Sequence, residues 1–183
     1  MTSMRDGEAA RTRKPAPKRI DAAYLRRAAL HYLERYSVPA AQLQRVLLRK
    51  VERSCRHHGQ DPQALRSAVD EIVASFVASG LVDDRRFAEA RAQSLRRKGR
   101  SARAVAAGLA VKGVARELVA ETVVLDETVE LEAACVAAKR KRLGPWSRGD
   151  RTELRQKHIA ALARAGFSLA IARAVIDGAG EGS

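Results

Sequence analysis

Two adjacent carboxylates, Asp83 and Asp84, precede two arginines in the stretch GLVDDRRFA, residues 80–88. Paired carboxylates are the side chains that acid–base catalysis or a hard metal ion would use. Consecutive side chains on a helix point about 100° apart, so neighbours there do not converge on one ligand. We therefore interpret the pair as a helix start, where Asp83 accepts backbone N–H groups and Asp84 lies against the positive end of the helix dipole.

The segment Cys55-Arg-His57-His58 contains two types of metal ligand, but it lacks four ligands at the spacing of a zinc finger. The second cysteine, Cys135, lies far away in the sequence, and neither cysteine belongs to a CxxC pair. This cysteine usage favours a reducing compartment over a disulfide framework. The sequence predicts no metal site.

Motifs of common enzyme classes are missing: the chain has no GxxxxGK[ST] phosphate loop, no GxGxxG, no GxSxG and no HExxH. The histidines lie among arginines without an obvious nucleophile, and we expect all of them at the surface or at an interface: His31, His57, His58 and His158. The sequence therefore predicts a protein that is not an enzyme and needs no cofactor.

The charge of the chain is strongly positive, +14 over 183 residues. Such an excess suggests an anionic partner, either nucleic acid or an acidic protein surface. The three tyrosines, three phenylalanines and one tryptophan are too scattered in the sequence to predict a platform of stacked bases. No apolar run approaches the ~20 residues that span a bilayer, and residues 1–20 lack the apolar stretch of a signal peptide. We expect a cytoplasmic protein that does not contact membranes.

Apolar residues recur with helical spacing from Asp21 onwards, and alternating β-branched runs are missing. We expect an all-α protein of about nine helices, in which Ser37 and Pro39 mark the start of the second. Residues 1–20 lack an apolar face and are predicted to be a disordered basic arm, either a solvated tail or a weak electrostatic tether. Residues 179–183 should fray.

One helix–turn–helix pattern recurs along the chain. LRRKGRSARAV (95–105) and LARAGFSLAIA (162–172) share Leu, Arg, Gly and Ser in one register, and LERYSVPAAQL (33–43) keeps the Leu and Arg. The glycine can end one helix in the left-handed conformation, and the serine can cap the next. The pattern therefore predicts a diverged helical repeat, in which each unit is too small to bury its own apolar face and packs against its neighbours. The same outline could belong to a DNA-reading helix-turn-helix, but base-reading side chains do not recur at the second helix.

The stretch GLVDDRRFAEARAQSLRRKGRSARAVAAGLAVKGV (80–114) resembles the central segment of RecX regulatory proteins, whose pattern begins G-hydrophobic-hydrophobic-D-D-x-R-[FY]-A. The segment 29–51 resembles the N-terminal unit of that family, and 158–176 resembles its C-terminal unit. The chain differs from the commoner pattern at Pro39 and Arg91. The residues that carry the signature are Asp83, Asp84, Phe87, Ala88, Gly99, Ser101, Leu109, Gly113, Gly166, Phe167 and Ser168.

This resemblance implies three tandem three-helix units in an elongated array, at residues 21–80, 81–125 and 126–178. It also implies a non-enzymatic modulator of the RecA recombinase. Family members are understood to bind RecA, to lie in the groove of its filament on single-stranded DNA, and to block filament growth or promote filament loss. ATP hydrolysis, strand exchange and coprotease activity are thereby reduced. We expect a monomer.

A basic surface on such an array suits an acidic filament with DNA inside it. The residues that we predict for this contact are Arg45, Arg49, Lys50, Arg53, Arg96, Arg97, Lys98, Arg100, Arg103 and Lys112. An alternative stays open, in which a basic helical protein binds DNA and competes for its phosphates without a dedicated protein partner. Phe87, Leu95, Val105 and Leu109 are assigned to the core.

Overall fold

The computed structural model describes residues 17–178, in which nine α-helices and one short 3₁₀-helix follow one another and no strand occurs. The prediction of an all-helical fold is confirmed. The helices are α1 Ala22–Leu33, α2 Ala40–His58, α3 Pro62–Ala78, α4 Asp84–Arg97, α5 Ala102–Lys112, α6 Arg116–Thr122, α7 Glu127–Lys141, α8 Arg151–Arg164 and α9 Leu169–Asp177, with the 3₁₀-helix at Gly144–Trp146.

Short polar side chains begin several helices as the sequence predicts. Asp83 accepts the N–H of Arg86 at 2.9 Å and caps α4. Ser101 and Ser168 accept the N–H groups three residues further on, and they cap α5 and α9. The glycine two residues before each serine has a positive φ, 73° at Gly99 and 95° at Gly166. A side chain would strain that conformation, which explains the recurring glycine.

The buried apolar side chains form three clusters, each built mainly by three consecutive helices. We name the groups unit 1 (α1–α3), unit 2 (α4–α6) and unit 3 (α7–α9). In unit 2, Phe87, Val105 and Leu109 are buried, and Leu95 packs against them half-buried. The core assignment of these side chains is therefore confirmed.

The predicted disordered arm is too long at its C-terminal end. Residues 17–20 lie against unit 1, because the carbonyl of Lys18 accepts the Ser54 hydroxyl and Ile20 is buried in the cluster. The amide side chain of Gln60 donates to the Ile20 carbonyl at 2.9 Å. Residues 1–16 of the arm, and the tail at 179–183, lie outside the described residues.

The expectation that every histidine is at the surface or an interface is wrong for His158, which is buried in unit 3. Its Nδ1 accepts the N–H of Gly144 at 3.0 Å, so the ring supplies an acceptor inside the protein to a backbone donor of the 3₁₀-helix. Burial lowers the pKa of His158, and the charge of Lys157 lowers it further. The neutral ring is therefore the form that the folded protein stabilises.

Replacing Phe87 with alanine should lower the free energy of unfolding by about 3–5 kcal/mol, because the ring fills the core of unit 2. Urea denaturation measures this loss. Leu125→Ala is the control, since Leu125 is 79% exposed and should change stability little. Equal losses in the two variants would place the Phe87 ring outside the core.

The stability of the protein should fall as the pH drops below about 6.5, the ordinary pKa of histidine. The pKa of His158 is lower in the folded protein, so the unfolded chain binds the proton more readily and acid favours unfolding. His158→Asn keeps an acceptor and should flatten the dependence of unfolding free energy on pH between neutral and mildly acid solution. His57→Gln, at an exposed site, should leave it unchanged; a flat wild-type profile would contradict the assignment.

Candidate functional site

Nine of the ten basic residues predicted for a binding surface lie in two places. One is a row on α2, where Arg45, Arg49 and Arg53 follow one another at i, i+4 spacing with Lys50 beside them. The other is the turn between α4 and α5 with the two helix ends around it. We call these the α2 row and the basic turn; the basic turn holds Arg96, Arg97, Lys98, Arg100 and Arg103, and Lys112 lies at the far end of α5.

Arg45 connects unit 1 to unit 2. Its Nη2 donates to the carbonyls of Val111, at 3.2 Å, and Lys112, at 2.6 Å. These carbonyls belong to the last turn of α5, where a helix leaves acceptors without an internal partner. Arg49 and Arg53 are exposed and form no hydrogen bond or ion pair with another described residue. Arg45 thus has a structural role, whereas the other two arginines present free cations.

Asp84 has a partner that its sequence position did not reveal. Its Oδ1 accepts the N–H of Ala40 at 2.8 Å, so a side chain of unit 2 caps helix α2 of unit 1. The expected start signals do not provide that cap, because Pro39 occupies the N-cap position and no side chain caps from there. A proline at the N-cap, which has no side-chain acceptor, is the one local sign that an external cap was needed.

Arg96 does not belong to an exposed binding surface, and its assignment is corrected. Its Nη1 lies 2.5 Å from Oε2 of Glu130, and the two side chains are only 14% and 7% exposed. The same nitrogen donates to the carbonyl of Arg100. Glu130 in turn accepts the N–H of Ala102 at 3.1 Å, so α7 of unit 3 caps α5 of unit 2. A buried carboxylate requires such a cation, which explains why Arg96 points inward.

The basic turn is also a packing surface against unit 3. A Cβ on Gly99 would lie 2.7 Å from the backbone nitrogen of Ala137, so the turn touches α7 directly. The Ser101 hydroxyl donates to the carbonyl of Ala165 at 2.8 Å. The Arg140 guanidinium donates to the carbonyl of Lys98 at 3.0 Å. The backbone of the turn is therefore internal, and only its outer side chains are available to a partner.

Four cations remain exposed around this turn, and Lys112 is half-buried at the end of α5. Their side chains form no hydrogen bond or ion pair within residues 17–178; they are Arg97, Lys98, Arg100 and Arg103.

The contacts between units disfavour the reading of DNA by a helix-turn-helix. The N-terminal residues of α2 and α5, Ala40 and Ala102, are bonded to carboxylates of the next unit and cannot enter a groove there.

Metal ligands and the Cys135 thiol show no sign of a reactive site in the described part. Between residues 17 and 178, no three His, Cys, Asp or Glu side chains are placed to hold a metal ion. Burial raises the pKa of the Cys135 thiol, and Glu132 adds to the effect, so this cysteine is not an activated nucleophile. The Arg155 guanidinium, 2.6 Å away, lowers the pKa of Asp177 in an exposed ion pair.

In the same range, no helix has the length and apolar character that a bilayer crossing demands.

Glu130→Ala should destabilise the protein by about 3–5 kcal/mol, because it leaves the Arg96 charge buried without its partner. Glu121→Ala is the matched control: it removes a carboxylate 2.6 Å from Arg85, but both side chains are more than half exposed and such pairs contribute little. Chemical denaturation of both variants tests the difference. If Glu130→Ala unfolds no more easily than Glu121→Ala, the pair does not hold units 2 and 3 together.

The chain is similar to named proteins over nearly all of the described length. The family model for the second three-helix domain of RecX matches residues 83–123. The regulatory protein RecX of Myxococcus xanthus is 47% identical over 165 residues, which cover 88% of each chain. The regulatory protein RecX of Agrobacterium fabrum is 34% identical over 174 residues, or 93% of this chain and 90% of that protein.

A solved structure agrees with the fold. The crystal structure of RecX from Lactobacillus salivarius superposes with a TM-score of 0.65 over 85% of this chain and 94% of that chain, at 19% identity. At this identity the likeness supports the fold alone. The family follows from the sequence relatives, which share a third to almost half of their residues with this protein along most of its length. The chain belongs to the RecX family.

Proposed function

We propose that the protein is a non-enzymatic negative modulator of the RecA recombinase. It binds RecA and its filament on single-stranded DNA, blocks filament extension, and so inhibits ATP hydrolysis, strand exchange and coprotease activity. The observation that carries this proposal is its place in the RecX family, whose relatives from two bacteria are named regulatory proteins. The protein acts in the cytoplasm as a monomer.

The free cations supply the contact in this proposal. Arg96 is left out of this contact because it is buried against Glu130. Exposed guanidinium and ammonium groups are still present on the α2 row and the basic turn. They have no acidic partner within residues 17–178, so an incoming carboxylate or phosphate displaces only water and counterions. The proposed contact set is Arg49, Arg53, Arg97, Lys98, Arg100 and Arg103, with Arg45, Lys50 and Lys112 at its edges.

The contacts that join the three units also support the proposal, because they fix the distances between the units. Asp84 and Arg45 join units 1 and 2, and Glu130 joins units 2 and 3. A repeat array of this kind presents its charges at fixed separations, which suits a partner that is itself a regular polymer. Binding that spans successive subunits of a filament stops growth without any chemical step.

A second function is favoured by the total charge of +14. In this alternative, the protein binds single- or double-stranded DNA through phosphates and displaces RecA by competition. Binding of that kind weakens steeply with salt, because each neutralised phosphate releases a counterion.

The DNA-dependent ATPase of RecA separates the two functions. Inhibition by amounts of protein far too small to cover the DNA would support action on the filament. Inhibition that begins only when the DNA is saturated, and that disappears with added salt, would support competition. No inhibition under either condition would overturn both proposals.

Paired variants assign the surface in the same assay. Arg49→Ala combined with Arg53→Ala should raise the half-inhibitory concentration about tenfold, the loss of a modest interface contact. Arg148→Ala combined with Arg164→Ala removes the same charge from exposed positions of unit 3 and is the control. Equal effects of the two double variants would show that total charge, rather than the α2 row, is what matters.

A further inference from the structure

A cleft of about 270 Å³ opens where unit 1 meets unit 2. The end of α1 and the loop after it form one wall, and α4 and the end of α5 form the other. Phe87, from the core of unit 2, is also one of its lining residues. The cleft thus depends on the same junction that Asp84 and Arg45 hold together.

All the charged residues that line the cleft are positive. Arg35, Arg91 and Lys112 line it, and no carboxylate is among its described lining residues. Arg35 and Arg91 are exposed, Lys112 is half-buried, and none of the three side chains bonds to another residue within 17–178. Three unpaired cations around one small cleft create a positive potential that selects an anionic ligand.

Two of the three tyrosines of the chain lie in this cleft. The rings of Tyr32 and Tyr36 are 4.9 Å apart between centroids and tilted by 41°. The Tyr32 hydroxyl accepts the side-chain N–H of Gln42 at 3.2 Å, which holds that ring in place. Tyr36 is 53% exposed. The sequence predicted no aromatic platform because the aromatic residues are sparse, but folding brings these two rings together beside the cations.

The cleft continues into the α2 row. Lys112 is one of the residues that line the cleft, and its carbonyl accepts a hydrogen bond from the Arg45 guanidinium, 2.6 Å away. Arg49 and Arg53 follow Arg45 along α2. A chain of phosphates that enters the cleft therefore meets further cations at helical spacing beyond it.

We propose that this cleft binds a nucleotide of single-stranded DNA, with the base against the exposed face of Tyr36 and the phosphates among Arg35, Arg91 and Lys112. Aromatic faces beside cations are the combination by which proteins hold unpaired bases, because every base has a face to stack. Duplex DNA does not expose such a face. An acidic peptide would use the cations but would gain nothing specific from the ring.

This inference deepens the proposed function, since it gives the protein its own contact with the strand on which RecA assembles. It is tested without RecA, so its failure is distinguishable from failure of the proposed regulation. A protein that inhibits RecA but does not bind DNA through Tyr36 would keep the first proposal and lose this one.

The experiment measures the binding of the full-length protein to a labelled oligothymidylate by fluorescence anisotropy. Tyr36→Ala should weaken binding roughly 5- to 100-fold, the usual effect of losing one stacked base. Tyr36→Phe keeps the ring and should bind like the wild type. Arg91→Ala should reduce the salt slope by about 0.7, the value for one phosphate of a single strand. Arg148→Ala removes an equal charge far from the cleft and should leave the slope unchanged.

An abasic oligonucleotide of the same length provides the decisive comparison. The wild type should prefer the strand with bases, and Tyr36→Ala should bind both strands alike. If Tyr36→Ala keeps the full preference, or if Tyr36→Ala binds oligothymidylate as well as the wild type does, the base site is overturned. Binding of a polyglutamate peptide that depends on Arg91 but not on Tyr36, without a preference for bases over abasic DNA, would assign the cleft to acidic protein instead.

Discussion

A carboxylate that reaches from one unit to the start of a helix in the unit before it is the interaction on which the array depends. Glu130 accepts the N–H of Ala102, and Asp84 accepts the N–H of Ala40. The first amides of a helix have no internal acceptor and carry the positive end of its dipole, so a carboxylate there satisfies a donor and a charge together. Each contact fixes the position of one unit and completes a helix of another, which couples local folding to assembly.

Arginine has two separate uses in this protein. Arg96 and Arg45 direct guanidinium groups at a carboxylate and at backbone carbonyls, and in each case one nitrogen of the planar group donates to two acceptors. Arg49 and Arg53, on the same helix as Arg45, bind nothing else in the described part. The number of basic residues therefore overstates the surface that is available to a partner, because some of the positive groups are already occupied by the junctions between units.

The sequence predicts hydrogen bonds between residues a few positions apart, but it does not reveal those between residues far apart in the chain. Asp83 and Ser101 could be assigned because each caps an N–H three residues away, and the helical period revealed the cores. The target of Asp84 lies 44 residues away, and that of Glu130 lies 28 residues away. Propensity and spacing contain no information on such partners, since these pairs exist only after the units pack. The buried acceptor role of His158 was missed for the same reason.

The cleft with Tyr36 shows why the same limitation extends to function. Its walls come from two units, so its shape depends on the contacts of Asp84 and Arg45 that set their spacing. A ligand that contacts both walls binds best to one relative placement of the units, and it stabilises that placement by the difference in affinity. The stability of the contacts between units and the affinity for a DNA strand are therefore thermodynamically coupled. In such an array, residues that never touch a partner still influence how tightly it is bound.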